Sequence, residues 1–148
     1  MTWQKKLIKE SKSKYNNQPV VVDGVKYDSR HEALRMGYLK LLERAGEIKD
    51  LRYHVEYELI PPIRKEVVCK NKKGTVYTRI TNEPRVYEAD FVYTIVSTGE
   101  TVVEDFKGAE TDLFLFKADL LYYKYGIKIK IVKQVNEPVL GNKSFNIK

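Results

Sequence analysis

The chain has 148 residues, of which 43% are hydrophobic and 32% charged, and its net charge at pH 7 is +7. This length and composition predict one globular domain with a buried core. No apolar run approaches the ~18 to 20 residues that a membrane helix needs, and the N-terminus lacks the apolar core of a secretory signal. The basic charge favours a polyanionic partner, with nucleic acid first.

Cysteine and histidine are scarce in the chain. Cys69 is the only cysteine and there are two histidines, so an internal disulfide is excluded and a dedicated zinc site is not expected. A reducing compartment suits such a chain. We therefore expect a cytoplasmic protein that needs no membrane and no small-molecule cofactor.

The N-terminal part of the chain predicts an arm, a hairpin and a helix. Residues 1–18 are lysine-rich and predict a flexible arm, which either tracks phosphates or is a solvated terminus. Asp23-Gly24 lies between β-favouring runs and predicts a type I′ hairpin. A helix is expected over Ser29–Ala45, because Glu32 completes a capping box with the N-terminal serine. Its predicted apolar face contains Leu34, Tyr38, Leu41, Leu42 and Ala45.

A strand and a basic segment follow the helix. Leu51–Leu59 alternates apolar and polar residues, which predicts a half-buried strand with its apolar residues on one face. Residues of about 62–83 predict a β-hairpin insertion. We interpret this insertion either as a DNA-contacting element or as a solubilising loop. Its candidate nucleic-acid-binding residues are Arg64, Lys65, Lys70, Lys72, Lys73 and Arg79.

The segment Tyr87–Gly108 predicts a second hairpin, with its turn at Ser97–Glu100. Side chains on a strand alternate between the two faces of the sheet. Asp105 and Lys107 are therefore expected on one face and Glu104 on the other, unless a bulge resets the phase.

The C-terminal part predicts a helix over Glu110–Tyr125 and then a strand at Ile127–Ile131. Four positions of the helix recur at helical spacing: Leu113, Phe116 or Lys117, Leu120, and Tyr123 or Lys124. Strand, helix and strand over this length form a βαβ unit, so the last strand should lie parallel to the strand that carries Asp105. Residues 19–135 are thus the expected domain, and residues 136–148 are a tail.

Four side chains could form a phosphodiester-hydrolysing site. Asp90 and Asp105 are oxygen ligands of the kind that Mg²⁺ prefers, and the carbonyl of Phe106 is a candidate third ligand. Lys107 would orient water or offset charge on the phosphate. Glu32, from the first helix, is a candidate further ligand. The expected chemistry is hydrolysis supported by a divalent metal.

Each of these residues also has a purely structural interpretation. Glu32 can serve only as part of the capping box, and both roles can coexist. Lys107 can form a structural ion pair with Asp90 or with Asp105. Lys117 either reaches DNA or belongs to a solvated helix face.

At Glu32, Asp90 and Asp105-Phe106-Lys107 the chain resembles the PD-(D/E)XK, or restriction-endonuclease-like, nuclease superfamily. The resemblance implies an α/β (α+β) fold with an αβββαβ core, in which helices flank a mixed central β-sheet. Ala89 stands where the superfamily motif has proline, a position that often is not proline.

Segments within Lys14–Val132 resemble a family of small phage and prophage endonucleases; they read YNNQPVVVDGVKYDSRHEA, LERAGEIKDLRYHVEYEL, YEADFVY and VVEDFKG. The resemblance implies that Glu32, Asp90, Asp105 and Lys107 form the active site. It also implies Mg²⁺ or Mn²⁺ as cofactor and DNA as substrate. Some relatives in the superfamily are phage Holliday-junction resolvases.

The sequence therefore predicts a metal-dependent DNA endonuclease that selects branched DNA during phage recombination or genome processing. A homodimer is expected, because resolving a branch needs two cuts. Three alternatives remain open. The chain is a nuclease of another class (nicking, exonuclease or restriction-type), a DNA-binding module without activity, or a structural protein in which the acids and the lysine merely pair.

Overall fold

The computed structural model describes residues 19–68, 74–107 and 109–139. Two helices and eight strands are found in these ranges, and neither helix is long and apolar enough to cross a membrane. The predicted arm at residues 1–18 lies outside the described residues. In chain order, the elements are β1 Val20–Val22, β2 Val25–Tyr27, α1 Arg30–Arg44, β3 Ile48–Ile60, β4 Ile63–Val68, β5 Val76–Asn82, β6 Arg85–Ile95, β7 Thr101–Phe106, α2 Asp112–Tyr125 and β8 Ile129–Val132.

A mixed four-stranded sheet forms the centre of the fold, with strand order β3-β6-β7-β8. The β3–β6 and β6–β7 pairs are antiparallel, whereas β7 and β8 are parallel. The predicted central hairpin and the βαβ unit are therefore confirmed, as is the α+β class with helices on a mixed sheet.

Each helix packs a separate apolar cluster against the sheet. Met36 and Leu39 of α1 pack with Phe91, whereas Leu121 of α2 packs with Val92. Because successive side chains of a strand point to opposite faces, the two helices cover opposite faces of the sheet.

Helix α1 begins as predicted but buries a different stripe. Ser29 is its N-cap, and the serine hydroxyl accepts a hydrogen bond from the Glu32 amide at 3.2 Å. The predicted apolar face was wrong, since Leu41 is 61% exposed. The buried stripe includes Arg35, whose charge is neutralised by Glu104 in the core. The buried residues of the helix are Glu32, Arg35, Met36 and Leu39.

The alternation of strand β3 had predicted one apolar face, but the strand does not keep it. Tyr53 packs with the cluster under α1, whereas Val55 packs with the cluster under α2. His54, between them, has φ of +52°, and this left-handed residue resets the alternation. The pairs Tyr53↔Phe91 and Val55↔Ala89 flank His54, so the change of face occurs at the level of Asp90.

Helix α2 starts at Asp112 with Thr111 as its N-cap and ends at Gly126, whose φ of +69° is typical of a helix C-terminus. The recurrence at helical spacing does not mark the buried face of this helix. Leu113 and Phe116 are 65% and 58% exposed, and the buried residues are Phe114 and Leu121. Phe114 is buried because its ring lies against Lys107 and the Tyr87 ring.

Two further segments complete the fold. Strands β1 and β2 form the predicted hairpin, with positive φ at Asp23 and Gly24. Strands β4 and β5 form a separate two-stranded sheet that corresponds to the predicted basic insertion. Beyond β8, the Arg35 guanidinium donates to the carbonyls of Val135 and Glu137 at 2.8 and 2.7 Å, so the chain is held to the core past the end of the expected domain.

Candidate active site

Asp90 lies on β6 and reaches across to the end of β7. Its carboxylate Oδ2 accepts a hydrogen bond from the Phe106 amide at 2.7 Å. The register places Phe91 opposite Glu104, so Asp90 is level with the segment that carries the second predicted acid. The backbone amide fixes the position of the Asp90 carboxylate beside that acid.

Asp105 is 3% exposed and has a partner on each carboxylate oxygen. The hydroxyl of Tyr87 donates to Oδ2 at 2.8 Å, and the ammonium of Lys107 donates to Oδ1 at 3.1 Å. Asp105 and Lys107 therefore share one face, as the strand period predicted. Glu104 points to the other face, where it accepts two hydrogen bonds from Arg35 at 2.7 and 2.9 Å.

The electrostatics of Asp90 link the acids into one cluster. The pKa of Asp90 is raised from 3.8 to about 7, chiefly by burial and in addition by the negative charges of Asp105 and Glu32. The Phe106 amide and the Lys107 ammonium act in the opposite direction. The other three predicted catalytic residues thus lie within electrostatic reach of Asp90.

Glu32 combines a structural role with a place beside the cluster. Its side chain is 8% exposed and accepts a hydrogen bond from the Ser29 hydroxyl at 3.0 Å. Its other oxygen accepts from the Asp28 amide at 3.3 Å and from the Tyr53 hydroxyl at 3.2 Å. Burial and the nearby Glu32 charge raise the pKa of Tyr53, which keeps that phenol protonated as a donor.

Glu32 also belongs to a second group of potential metal ligands. The carboxylates of Asp28 and Glu32 and a ring nitrogen of His54 lie within 4.8 Å of one another. The Nδ1 atom of His54 is also 3.5 Å from a carboxylate oxygen of Glu88. Sequence reasoning assigned no partner to this histidine, because the left-handed backbone that turns it toward α1 has no signal in a regular strand pattern.

A cavity of about 230 Å³ opens beside Asp105 and Lys107. Lys117 of α2 lines it, as do Thr111 and Phe114. The Lys107 ammonium lies 4.6 Å from the centre of the Phe114 ring, within range of a cation–π contact. The structure thus places two cations, Lys107 and Lys117, around a space next to the Asp105 carboxylate.

The predicted basic residues of the insertion lie elsewhere. Arg64, Lys65 and Arg79 are exposed on the β4–β5 hairpin and do not line the cavity. Lys70, Lys72 and Lys73 lie outside the described residues. The insertion is therefore a surface separate from the acid cluster.

Two tyrosines complete the site, and neither was singled out from the sequence. Tyr87 holds Asp105, and Tyr53 holds Glu32. Tyr87 stands three residues before Asp90, and only the change of strand phase near Asp90 turns it toward Asp105. Burial and the Asp105 charge raise the pKa of Tyr87, so this phenol also remains a donor.

The donor atoms suit a hard divalent cation. Asp90 and Asp105 are two acids held close together in a mostly buried site, and Glu32 adds a third nearby charge. Carboxylate oxygens are the ligands that Mg²⁺ and Mn²⁺ accept readily. A cation bound by these acids would offset the mutual repulsion that contributes to the high pKa of Asp90.

Comparison with known proteins gives one match. No curated protein and no solved structure matches the chain. A family model matches residues 12–137, which is most of the chain. The chain therefore belongs to the family described as "Protein of unknown function (DUF1064)".

Proposed function

We propose that this protein is a divalent-metal-dependent endonuclease that hydrolyses phosphodiester bonds in DNA. One observation carries the proposal: Asp90 lies beside Asp105 and within reach of the charges of Glu32 and Lys107, and Asp105 and Lys107 line a cavity that Lys117 also lines. A bound cation would favour the ionised form of Asp90, whose pKa is raised to about 7 by burial and by the Asp105 charge.

The acids are the proposed metal ligands. Asp90, Asp105 and Glu32 would hold Mg²⁺ or Mn²⁺, with the carbonyl of Phe106 as a further ligand. A bound cation offsets negative charge on the scissile phosphate and lowers the pKa of a water molecule. Tyr87 and the Phe106 amide each occupy one carboxylate oxygen, so they fix the orientation of both aspartates.

The cations have separate roles. Lys107 shares the cavity with Asp105, where its ammonium orients water and offsets charge that develops on the phosphate. Lys117 faces the same space from α2 and binds the phosphate in the ground state. The exposed cations of the β4–β5 hairpin hold more distant DNA.

We also propose that the fold is the restriction-endonuclease-like one and that the chain is a PD-(D/E)XK nuclease. The support is the order of elements once the two small hairpins are set aside: α1, β3, β6, β7, α2, β8. The acid on α1, the acid on β6 and the acid–x–lysine triplet at the end of β7 occupy the positions that the resemblance implies.

A branched DNA substrate is the proposed preference, with phage recombination or genome processing as its setting. Each chain has one acid cluster of this kind among its described residues, so two symmetric cuts require a homodimer. Helix α2 exposes several large apolar side chains that would suit contact with a second copy. These side chains are Leu113, Leu115, Phe116, Tyr122 and Tyr123.

A substrate panel tests the proposal. Purified protein is incubated with four-way-junction, supercoiled, linear and single-stranded DNA, in Mg²⁺, in Mn²⁺ or in EDTA. We expect metal-dependent cleavage, fastest on the four-way junction. Faster cleavage of another substrate would contradict only the proposed preference for branched DNA and would leave the proposed nuclease activity in place. Tight, salt-sensitive binding without cleavage in either metal would instead make the chain a DNA-binding module.

A further inference from the structure

The β4–β5 hairpin has two faces of different chemistry. Residues directly opposite in an antiparallel pair share a face, and the faces alternate along each strand. Lys65 pairs with Arg79, and Val67 pairs with Tyr77, so these four residues form one face, which we name the cationic face. Arg64, which lies opposite Ile80, belongs to the other face.

The cationic face places like charges side by side. Lys65 and Arg79 are directly opposed and exposed, an arrangement that destabilises a strand pair. Within the described parts of the chain neither cation forms an ion pair with an acid. On the other face, Arg64 lies opposite the apolar Ile80 and two residues from Glu66, with which it forms no ion pair, so it faces no like charge across the strand pair. An anion that contacts Lys65 and Arg79 together would remove the repulsion.

Tyr77 gives this face its second feature. It is 46% exposed and lies two residues before Arg79 on β5, on the same face of the hairpin. Tyrosine hydroxyls and basic side chains together make many of the contacts that proteins form with the phosphates and sugars of nucleic acids. Two cations with a tyrosine beside them therefore suit a row of phosphates better than a single anion.

The chain sets an upper limit on the distance between the hairpin and the acid cluster. Strands β3 and β6 run from the level of Asp90 to the base of β4 and β5. Arg79 and Asp90 are eleven residues apart in sequence, which at ~3.3 Å per residue spans at most ~36 Å. One turn of B-DNA is ~34 Å long.

We propose that the cationic face binds the phosphate backbone of duplex DNA within about one helical turn of the cut. The inference rests on the proposed function, since it takes DNA as the substrate. It narrows the contact to one side of the hairpin, formed by Lys65, Arg79 and Tyr77.

Binding in EDTA tests this without any need for cleavage. The affinity of each full-length variant for a duplex is measured by fluorescence anisotropy over a salt series. Lys65→Ala and Arg79→Ala should each lower the salt slope by about 0.9, the value for one lost phosphate contact, and weaken binding roughly fivefold to tenfold. Arg64→Ala should have a clearly smaller effect. Lys26→Ala, an exposed lysine on β2, should have none.

Equal effects of Arg64→Ala and Lys65→Ala would overturn the face assignment, and an unchanged slope in Lys65→Ala and Arg79→Ala would overturn the contact itself. Equal losses on a duplex shorter than one helical turn and on a duplex much longer than one turn would overturn the stated reach. An equal loss with duplex RNA of the same length would overturn DNA as the specific partner. Thermal unfolding of each variant identifies losses caused by misfolding.

The proposal and the proposed function fail separately. Cleavage in Mg²⁺ with no effect of Lys65→Ala on binding removes this inference and leaves the nuclease. A face-specific loss of binding in EDTA, with no cleavage in any metal, supports this inference and removes the nuclease.

Discussion

At the scale of single residues, Asp90 shows most directly what the fold does to its acids. Its carboxylate is largely removed from water and lies near two other negative groups, and its pKa rises from 3.8 to about 7. The pKa of an ordinary aspartate in the unfolded chain is lower, so the unfolded state loses its proton first as the pH rises. The contribution of Asp90 to folding is therefore greatest at low pH and is lost as the pH rises through about 7.

We predict that Asp90→Asn removes part of the pH dependence of stability in metal-free protein. Between pH 5 and pH 8 the wild type should lose roughly 2 to 3 kcal/mol more of its free energy of unfolding than the variant, given these two pKa values. Urea unfolding in EDTA at both pH values measures this, with Asp119→Asn on exposed α2 surface as control. Identical profiles for Asp90→Asn and wild type would contradict the electrostatic account.

Tyr87 makes a second prediction at this scale. Its hydroxyl donates to buried Asp105 at 2.8 Å, so Tyr87→Phe leaves a carboxylate oxygen without that donor. The free energy of unfolding should fall by about 1 to 3 kcal/mol, and cleavage should slow by roughly 10-fold to 100-fold, as for loss of a residue that orients a ligand. Tyr122→Phe, on an exposed tyrosine of α2, is the matched control. Equal rates for the two variants would show that Tyr87 does not position the acid.

At the scale of elements, Arg35 joins α1 to the sheet and to the segment after β8. Its guanidinium is buried, pairs with both oxygens of Glu104 and donates to two backbone carbonyls. Tyr93 donates a further hydrogen bond to Glu104 at 2.7 Å. Although burial opposes the charge, the hydrogen bonds and the negative charge of Glu104 raise the pKa of Arg35. Arg35 therefore remains charged inside the domain.

We predict that Arg35→Met lowers the free energy of unfolding by about 3 to 5 kcal/mol, because it leaves Glu104 buried without its counter-charge. The double variant Arg35→Met/Glu104→Leu should recover part of that loss, since it removes the orphaned charge. Chemical unfolding measures both, with Arg30→Met on exposed α1 surface as control. A loss below about 1 kcal/mol in Arg35→Met, as for a surface pair, would contradict this role.

The elements also show where sequence reasoning succeeds. Caps and turns depend on neighbouring residues, so Ser29, Asp23-Gly24 and Gly126 could be interpreted directly. The faces of the helices could not, because burial of Arg35 depends on Glu104, which lies far away in sequence. A periodicity that counts only apolar residues therefore selected the wrong stripe.

Sequence reasoning likewise recovered only some of the residues of the candidate site. The strand period was enough to place Asp105 with Lys107 and to turn Glu104 away. It could not reveal Tyr87 or His54 as neighbours of the acids, because the phase of β3 and β6 changes near Asp90. A residue with positive φ inside a strand leaves no reliable mark in the sequence.

At the scale of the whole molecule, assembly is the main prediction. We expect a mass of twice 17.3 kDa at the concentrations that support junction cleavage. Phe116→Asp places a charge among the exposed apolar side chains of α2 and should shift the protein to single chains while its unfolding temperature is kept. Sedimentation velocity measures the mass. A wild type that sediments as single chains while it resolves junctions would contradict the homodimer.

The central claim concerns the acid cluster, and one measurement tests it most directly. Single-turnover cleavage of a labelled four-way junction in Mg²⁺ is compared for the wild type, Asp105→Asn and the surface control Asp119→Asn, with folding verified by thermal unfolding. We predict that Asp105→Asn slows cleavage by at least roughly 1000-fold, a transition-state loss of about 4 kcal/mol, while Asp119→Asn matches the wild type. Equal cleavage by Asp105→Asn and the wild type would contradict the account.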